Sequence, residues 1–333
     1  MKTRNSSIEL LRILLELGII VLHYNNGSMG KALAFVVHGS ANEQVLYLLE
    51  NIFICAVDLF AIISAYYLSS TSKRKISKIV ELYFEMVFVN LLYYFIGPKI
   101  GIETSQSIGY LLVCFLPNNW FFILYSVLYL ISPYLNIIIE KLDKKEYKKL
   151  LILLFVIFSI WTHIVDYLSL LGDFKQMSSI GLYGNQDGYT IVNFVLLYMI
   201  GGYIKKFGFN ISKIKIISLF TITLLVNHLL SLKLWFIWNY NNPLVILMAI
   251  LVFLFFNQIE FHSVIINALS ESAFTSYLIN ERLIRLISPI IYIQVNQTTS
   301  SMLLNILVIA ISIYLIAYVV HLLFRLLYSY ITL

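Results

Sequence analysis

The stretch Ile8-Glu9-Leu10-Leu11-Arg12-Ile13-Leu14-Leu15-Glu16-Leu17-Gly18-Ile19-Ile20-Val21-Leu22-His23-Tyr24 breaks a long apolar run at Glu9, Arg12, Glu16 and His23. On an α-helix the eleven-residue step from Arg12 to His23 rises about 16 Å. It rotates through three turns plus roughly 20°, so the two side chains share one face at different depths. Glu9 and Glu16 fall within about 60° of them on the same wheel, which makes a polar stripe along a hydrophobic helix. Ionisable groups at membrane depth cost about 2.5–3.5 kcal/mol each on insertion scales and seldom face lipid. The spacing therefore puts a cation near the helix entrance and a titratable imidazole three turns deeper, near the middle of the bilayer. A structural ion pair between Arg12 and Glu9 or Glu16 is the plain alternative, but it leaves His23 without a purpose.

The rest of the composition agrees with a membrane bundle. Of 333 residues 60% are hydrophobic and only 12% charged, with a mean hydropathy of +0.86, values typical of polytopic membrane proteins. Arg12, Glu16 and the lack of a small-residue cleavage site mark the first segment as a retained span. Ten spans are expected, at 8–27, 45–69, 79–97, 108–138, 150–171, 189–204, 214–232, 243–257, 264–288 and 302–328. The fourth is interrupted at Pro117-Asn118-Asn119, which predicts a re-entrant piece followed by a span from Trp120. The expected fold is all-α, a multi-pass bundle forming one integral membrane domain over 1–333 without a soluble domain.

Basic residues set the orientation. Lys2 and Arg4 precede the first span. Lys73, Arg74, Lys75 and Lys78 follow the second, Lys141 to Lys149 the fourth, and Lys205, Lys206, Lys213 and Lys215 the sixth. The intervening loops hold Lys31, Lys99, Lys175 and Lys233 singly. The positive-inside rule then places both termini in the cytoplasm, Arg12 near the cytoplasmic face and His23 towards the far side. The net charge of +6 is an orientation signal here, not a nucleic-acid footprint. The loop 172–188, with Ser178, Ser179, Gly181, Gly184, Asn185, Gln186 and Asp187, is polar enough to line a wet vestibule. Cys55 and Cys114 lie in apolar segments and read as buried thiols.

Phosphate-cradling glycine loops, paired-histidine zinc helices and cysteine pairs at metal spacing are absent from the sequence, so no metal is expected. What remains is intramembrane polarity. Asp58 in the second span can hold a nearby imidazole in one tautomer, or neutralise an arginine for folding alone. Ser64-Ala65 reads as a pocket edge or as plain helix packing. Trp120 fits an interfacial belt as well as a pocket. Ser270 to Arg282 is too polar to face lipid. His163 with Asp166 is a second possible acid–base pair. His228 and His321 have no charged neighbour in sequence, and His38 and His262 read as loop residues.

Together these segments resemble the acyltransferase 3 family of integral membrane O-acyltransferases, over nearly the whole chain. Arg12 and His23 match its Arg-x10-His first helix. Val57-Asp58-Leu59-Phe60-Ala61-Ile62-Ile63-Ser64-Ala65-Tyr66 resembles a segment that usually ends Ser-Gly-Tyr, with Ala65 for the glycine predicting looser packing. Lys73-Arg74-Lys75-Ile76-Ser77-Lys78 is similar to a turn with paired arginines, and Trp120-Phe121 to an aromatic element. Tyr277-Leu278-Ile279-Asn280 resembles Tyr-Leu-Ile-His, with Asn280 unable to serve as a base.

The resemblance implies an acyl-CoA donor, acetyl-CoA foremost, and a sugar hydroxyl of a cell-surface polysaccharide or its lipid-linked precursor as acceptor, in the cell membrane. His23 is the expected general base, since a neutral imidazole suits removal of a hydroxyl proton. Asp58 is its expected orienting partner. Arg12, Arg74, Lys75 and Lys78 form the expected coenzyme A phosphate patch, and Glu16, Ser64 and Trp120 the substrate pocket. Two other classes stay open: a transporter or flippase for a lipid-linked sugar, which would consume no thioester, and a non-catalytic membrane partner. The oligomeric state is not encoded in any motif of the chain.

Overall fold

The computed structural model describes residues 5–331 apart from 72, 103 and 182–185. Lys2, Arg4, Gly184 and Asn185 of the sequence reading lie outside the described residues. Every regular element among the described residues is helical and none is a strand, as the apolar runs and the 3.6-residue polar stripe require. Helix starts carry side-chain caps: Asn5 accepts from the Ser7 N–H, and Asp143 and Glu146 form a reciprocal capping box. Thr190 and Ser212 cap the helices they precede, and Asn242 stands before Pro243.

Seven stretches are long and apolar enough to cross a membrane: Ala41–Leu68, Ile76–Ile100, Trp120–Lys141, Lys144–Leu168, Lys213–Ser231, Trp235–Asn257 and Thr299–Tyr330. The other three expected spans are helical but fall short for definite reasons. The first helix, Ser6–Asn25, carries Glu9, Arg12 and Glu16. Ile191–Phe207 has only 17 residues and ends on Lys205 and Lys206. The expected 264–288 span is helical through a 3₁₀ turn at Ser270–Ser272, but it carries Glu271, Glu281, Arg282 and Arg285. The chain is thus a multi-pass helical membrane protein, with polar helices that depend on other helices for shelter.

Two compact units divide it. The first comprises residues 1–53, 76–119 and 260–333; the second comprises 54–75 and 120–259. The apolar stretch 41–68 changes unit at a break between Ala41–Phe53 and Ala56–Leu68.

In the first unit the core joins Ile20 and Tyr24 of the first helix to Leu46, Ile284, Met302 and Ile313. A second core cluster sets Val89 and Tyr93 against Ile279, Ala317 and Val320. The segment before Trp120, expected to be re-entrant, folds back along the helix that precedes it. Gln106 and Tyr94 exchange hydrogen bonds, Asn90 donates to Cys114 O, and the Tyr83 hydroxyl donates to Phe115 O. As the chain advances from 106 to 115, its partners recede from 94 to 83, so it runs back along the Ile76–Ile96 helix for about 16 Å. It holds only one short helix, Ile108–Val113. Irregular backbone at such depth is tolerated where protein or a wet cavity covers it.

In the second unit Ala56–Leu68 packs along Ile191–Phe207. A methyl group built on Gly201 would lie 2.6 Å from the Ala65 Cβ and 2.7 Å from Ile62 O. Ala65 is fully buried. This corrects the expectation of looser packing: the small residue that lets the helices meet is Gly201, on the opposite helix. Gly201→Ala should therefore destabilise by about 1–3 kcal/mol, the usual cost of overpacking, and adding Ala65→Gly should restore only part of the loss, because the Ile62 carbonyl stays in the way. Denaturant unfolding in detergent micelles tests this, and an unchanged midpoint for the single variant would contradict the contact.

Candidate functional site

The first helix turns its polar stripe towards Ser270 and the Ala273–Leu286 helix. At its start, Arg12 Nη1 lies 3.1 Å from Glu9 Oε2, and the Ser270 hydroxyl donates to that same oxygen at 2.6 Å. Arg12 thus makes the structural pair that spacing alone allowed, while its side chain stays about one-third exposed (34%). Two turns further on, Glu16 is buried (1% exposed) and its Oε1 accepts from Asn280 Nδ2 at 3.1 Å. Asn280 Oδ1 then meets His23 Nδ1 at 2.5 Å.

One amide therefore bridges two members of the stripe, and its polarity follows from its partners. With Nδ2–H given to Glu16, the Oδ1 facing His23 can only accept, so Nδ1 must carry the imidazole proton. The basic lone pair is left on Nε2. Asn280 is fully buried and His23 is half-buried. His23 lies in the last turn of a helix ending at Asn25, so it sits at the far end of the helix, not at its middle.

Asn280, and not Asp58, is the hydrogen-bond partner of His23 Nδ1. Asp58 belongs to the second unit, fully buried in Ala56–Leu68. Its polar neighbour there is Asn193, and neither carboxylate oxygen has a hydrogen bond in proper geometry among the described residues. Ser64, on the same helix, is half-buried.

Arg74 departs furthest from expectation. Its Nε donates to Ser132 Oγ at 2.6 Å, Nη1 to Thr71 O and Oγ1 at 2.8 Å each, and Nη2 to Leu68 O at 3.0 Å and the Tyr198 hydroxyl at 3.4 Å. Its guanidinium also covers the Tyr129 ring. All five N–H donors of the fork are committed, which leaves none for the phosphate expected there. Arg74 is a clasp that closes the end of Ala56–Leu68 onto Trp120–Lys141. Lys75 and Lys78 are exposed. The Lys75 backbone N–H donates to the Tyr129 hydroxyl, and the Lys78 ammonium lies 3.4 Å from Glu81.

Trp120 starts its helix within an aromatic cluster of the second unit, edge-on to Tyr189 at 4.4 Å and near-parallel to Tyr240 at 6.4 Å between centroids. The His163–Asp166 approach of 3.9 Å is too long for a hydrogen bond, and Asp166 accepts from Asn239 instead. His163 packs between Tyr167 and Phe236.

Two pairings escaped the sequence reading. One is Asn280, dismissed because it cannot be a base. The other is His321, whose Nδ1 lies 3.0 Å from Glu85 Oε1, with Thr275 bonded to both. Glu85 is 236 residues away in sequence. The only signal for it was an ionisable residue in mid-span, which called for a partner without naming one. Among the described residues no group of three or more His, Cys, Asp or Glu side chains could hold a metal ion.

A family model described as an acyltransferase domain matches residues 5–322. The chain belongs to this acyltransferase family. The match runs through both units and covers both Arg12 and His23. No curated protein and no solved structure matches the chain.

The clasp reading of Arg74 in this acyltransferase makes a prediction that a phosphate-binding reading does not. Arg74→Gln should lower the yield of monodisperse protein and its unfolding temperature, and Ser132→Ala should do so more weakly. Size-exclusion chromatography and thermal unfolding in detergent check both. A fully stable Arg74→Gln with a defect confined to donor affinity would return Arg74 to the donor site.

Proposed function

We propose that the protein is a membrane O-acyltransferase that moves an acetyl group from cytoplasmic acetyl-CoA to a sugar hydroxyl of a cell-surface polysaccharide or its lipid-linked precursor. The observation that carries this reading is the Glu16–Asn280–His23 chain, which leaves Nε2 of the imidazole as the basic atom. A hydroxyl is a weak nucleophile near neutral pH. As its oxygen bonds to the thioester carbonyl carbon, its proton passes to Nε2. The tetrahedral intermediate then breaks its C–S bond, and the Nε2 proton passes to the departing sulfur. The products are the sugar ester and the free thiol, with the imidazole returned to its starting tautomer. Asn280 acts through His23 as a positioning residue.

The donor side of the reading rests on the basic turn. Lys75 and Lys78 are exposed, and Lys ammonium groups serve as point charges for phosphates. Arg12, partly exposed beside Glu9, completes the donor-side cations. Placing these groups in the cytoplasm follows the positive-inside pattern of the loops.

The central test uses purified protein in lipid nanodiscs with acetyl-CoA and an acceptor polysaccharide, measuring thiol release and ester formation together. His23→Ala should fold normally and lose about 10²–10⁴ in rate, the range for a positioned general base. Near-normal turnover in that variant would remove His23 from the chemistry, and thioester-independent movement of the sugar would favour a transporter.

Asn280 provides a finer test. Asn280→Leu should reduce kcat by roughly tenfold or more, within the general-base range, at unchanged donor KM. Asn280→His should restore most of it, because a neutral imidazole also accepts on one nitrogen and donates from the other. Equal rates in the Leu and His variants would reduce the bridge to packing.

Lys75→Gln with Lys78→Gln should raise the donor KM several-fold at unchanged acceptor KM. High salt should reproduce part of that effect in the parent protein by screening. An unchanged donor KM would leave the basic turn as an orientation signal alone.

A further inference from the structure

Arg282 is the arginine that the fold leaves without an anion. Among the described residues Arg12, Arg285 and Arg325 each meet a carboxylate, that of Glu9, Glu281 and Glu81 respectively. Arg74 is consumed by carbonyls and hydroxyls. Arg282 has neither. Its guanidinium lies 4.4 Å over the Tyr93 ring, and Nη2 donates to the Tyr110 hydroxyl at 3.1 Å. Nη1 is buried with no acceptor among the described residues. A cation–π face offsets part of the cost of desolvating a guanidinium. It does not supply the two in-plane acceptors that the fork is built to meet.

The surroundings of this group also suit a ligand. Tyr110 belongs to the re-entrant piece and stacks on Tyr94, so Arg282 ties that irregular segment to the Ala273–Leu286 helix. Non-helical backbone at membrane depth occurs where it is buried in protein or lines a water-filled cavity. The site also lies at a definite end of the first unit. Ser270 meets Glu9 and Asn280 meets His23, so Ala273–Leu286 runs in the same direction as the first helix. Arg282 follows Asn280 by two residues, a rise of about 3 Å. It therefore sits at the level of His23, away from Arg12 and from the Lys78–Glu81–Arg325 cluster at the start of the Ile76–Ile96 helix. A donor entering at the basic end would leave this cation to the other substrate.

We infer that Arg282, framed by Tyr93 and Tyr110, binds an oxyanion carried by the acceptor, so that the acceptor is an anionic glycan bearing phosphate or carboxylate groups. The inference rests on the acyltransferase reading for the word acceptor, but the anion site itself does not need that reaction. A planar guanidinium with in-plane N–H groups left over recognises either oxyanion through paired hydrogen bonds.

The test is direct binding with no acyl donor present, so that it cannot fail through the chemistry at His23. The full-length protein in phosphatidylcholine nanodiscs is titrated calorimetrically with glucose 1-phosphate, glucuronate and glucose. Both anionic sugars should bind at least tenfold more tightly than glucose. Arg282→Gln should bring all three to the level of glucose, while Arg285→Gln, one turn on and paired with Glu281, should keep the preference. Where Arg282→Gln does not fold, Arg282→Lys replaces it and should weaken both anions at least fivefold, since a point charge lacks the fork. Equal binding of the three sugars, or a preference retained in folded Arg282→Gln, overturns the site. So does wild-type affinity in Arg282→Lys. A preference lost when phosphatidylglycerol is added to the discs would assign the cation to lipid headgroups and overturn its assignment to the acceptor. Failure of the acyltransferase reading shows separately, as absence of thiol release in the unmodified protein.

Discussion

Ionisable groups within an apolar bundle have to be answered by another helix, because lipid tails offer neither donors nor acceptors. In the first unit that constraint falls on the stripe Glu9, Arg12, Glu16 and His23, and the Ser270–Asn280 stretch answers it. Ser270 serves Glu9, while Asn280 serves Glu16 and His23 together. Neither helix is apolar enough alone to be a convincing membrane span, and their polar faces shelter each other. The helix that answers the stripe also carries Thr275, bonded to Glu85 and His321, and Arg282, tied to the re-entrant piece. Ala273–Leu286 is therefore the polar axis of the unit. Its sequence looks like a poor span because its side chains are allotted to four different neighbours.

The basic residues divide by what their geometry permits. Arg74 presents a rigid fork, and the Leu68 and Thr71 carbonyls together with the Thr71, Ser132 and Tyr198 hydroxyls fill it completely. Lys75 and Lys78, with flexible stems and no fixed fork, stay at the surface where a point charge can meet a mobile phosphate. A run that looks uniformly cationic in sequence thus splits into a part bound into the structure and a part left exposed. The division follows hydrogen-bond capacity, not charge.

The parts of the fold governed by local rules were legible in the sequence. The all-helical class came from the apolar runs, and the restart of the helix at Trp120 came from Pro117-Asn118-Asn119. The stripe on the first helix was legible because it depends only on the 3.6-residue period. Its partners were not, because Asn280 is 257 residues from His23 and Glu85 is 236 residues from His321. No rule of spacing reaches across such separations. The split of 41–68 at Cys55 was also illegible, since both halves are apolar and well suited to helix. The acceptors of Arg74 were illegible too: the Leu68 and Thr71 carbonyls are backbone atoms, and the hydroxyls of Ser132 and Tyr198 are 58 and 124 residues away in sequence.

Two departures from the family pattern show how such long-range answers work. Ala65 stands where a glycine is usual, and Gly201 on the facing helix makes the room that Ala65 takes up. Asn280 stands where a histidine is usual. What the position must do is accept from one neighbour and donate to another, and both an amide and a neutral imidazole have one atom of each kind at suitable reach. An ionised aspartate would lose the N–H that Asn280 donates to Glu16, because a carboxylate only accepts. Leucine would leave the Glu16 carboxyl and the His23 N–H both buried without partners, at about 1–3 kcal/mol for each neutral group and more for a charged one. The requirement is thus on hydrogen-bond direction and not on basicity. A chain can lose the histidine there and still hold His23 in the tautomer that keeps Nε2 available.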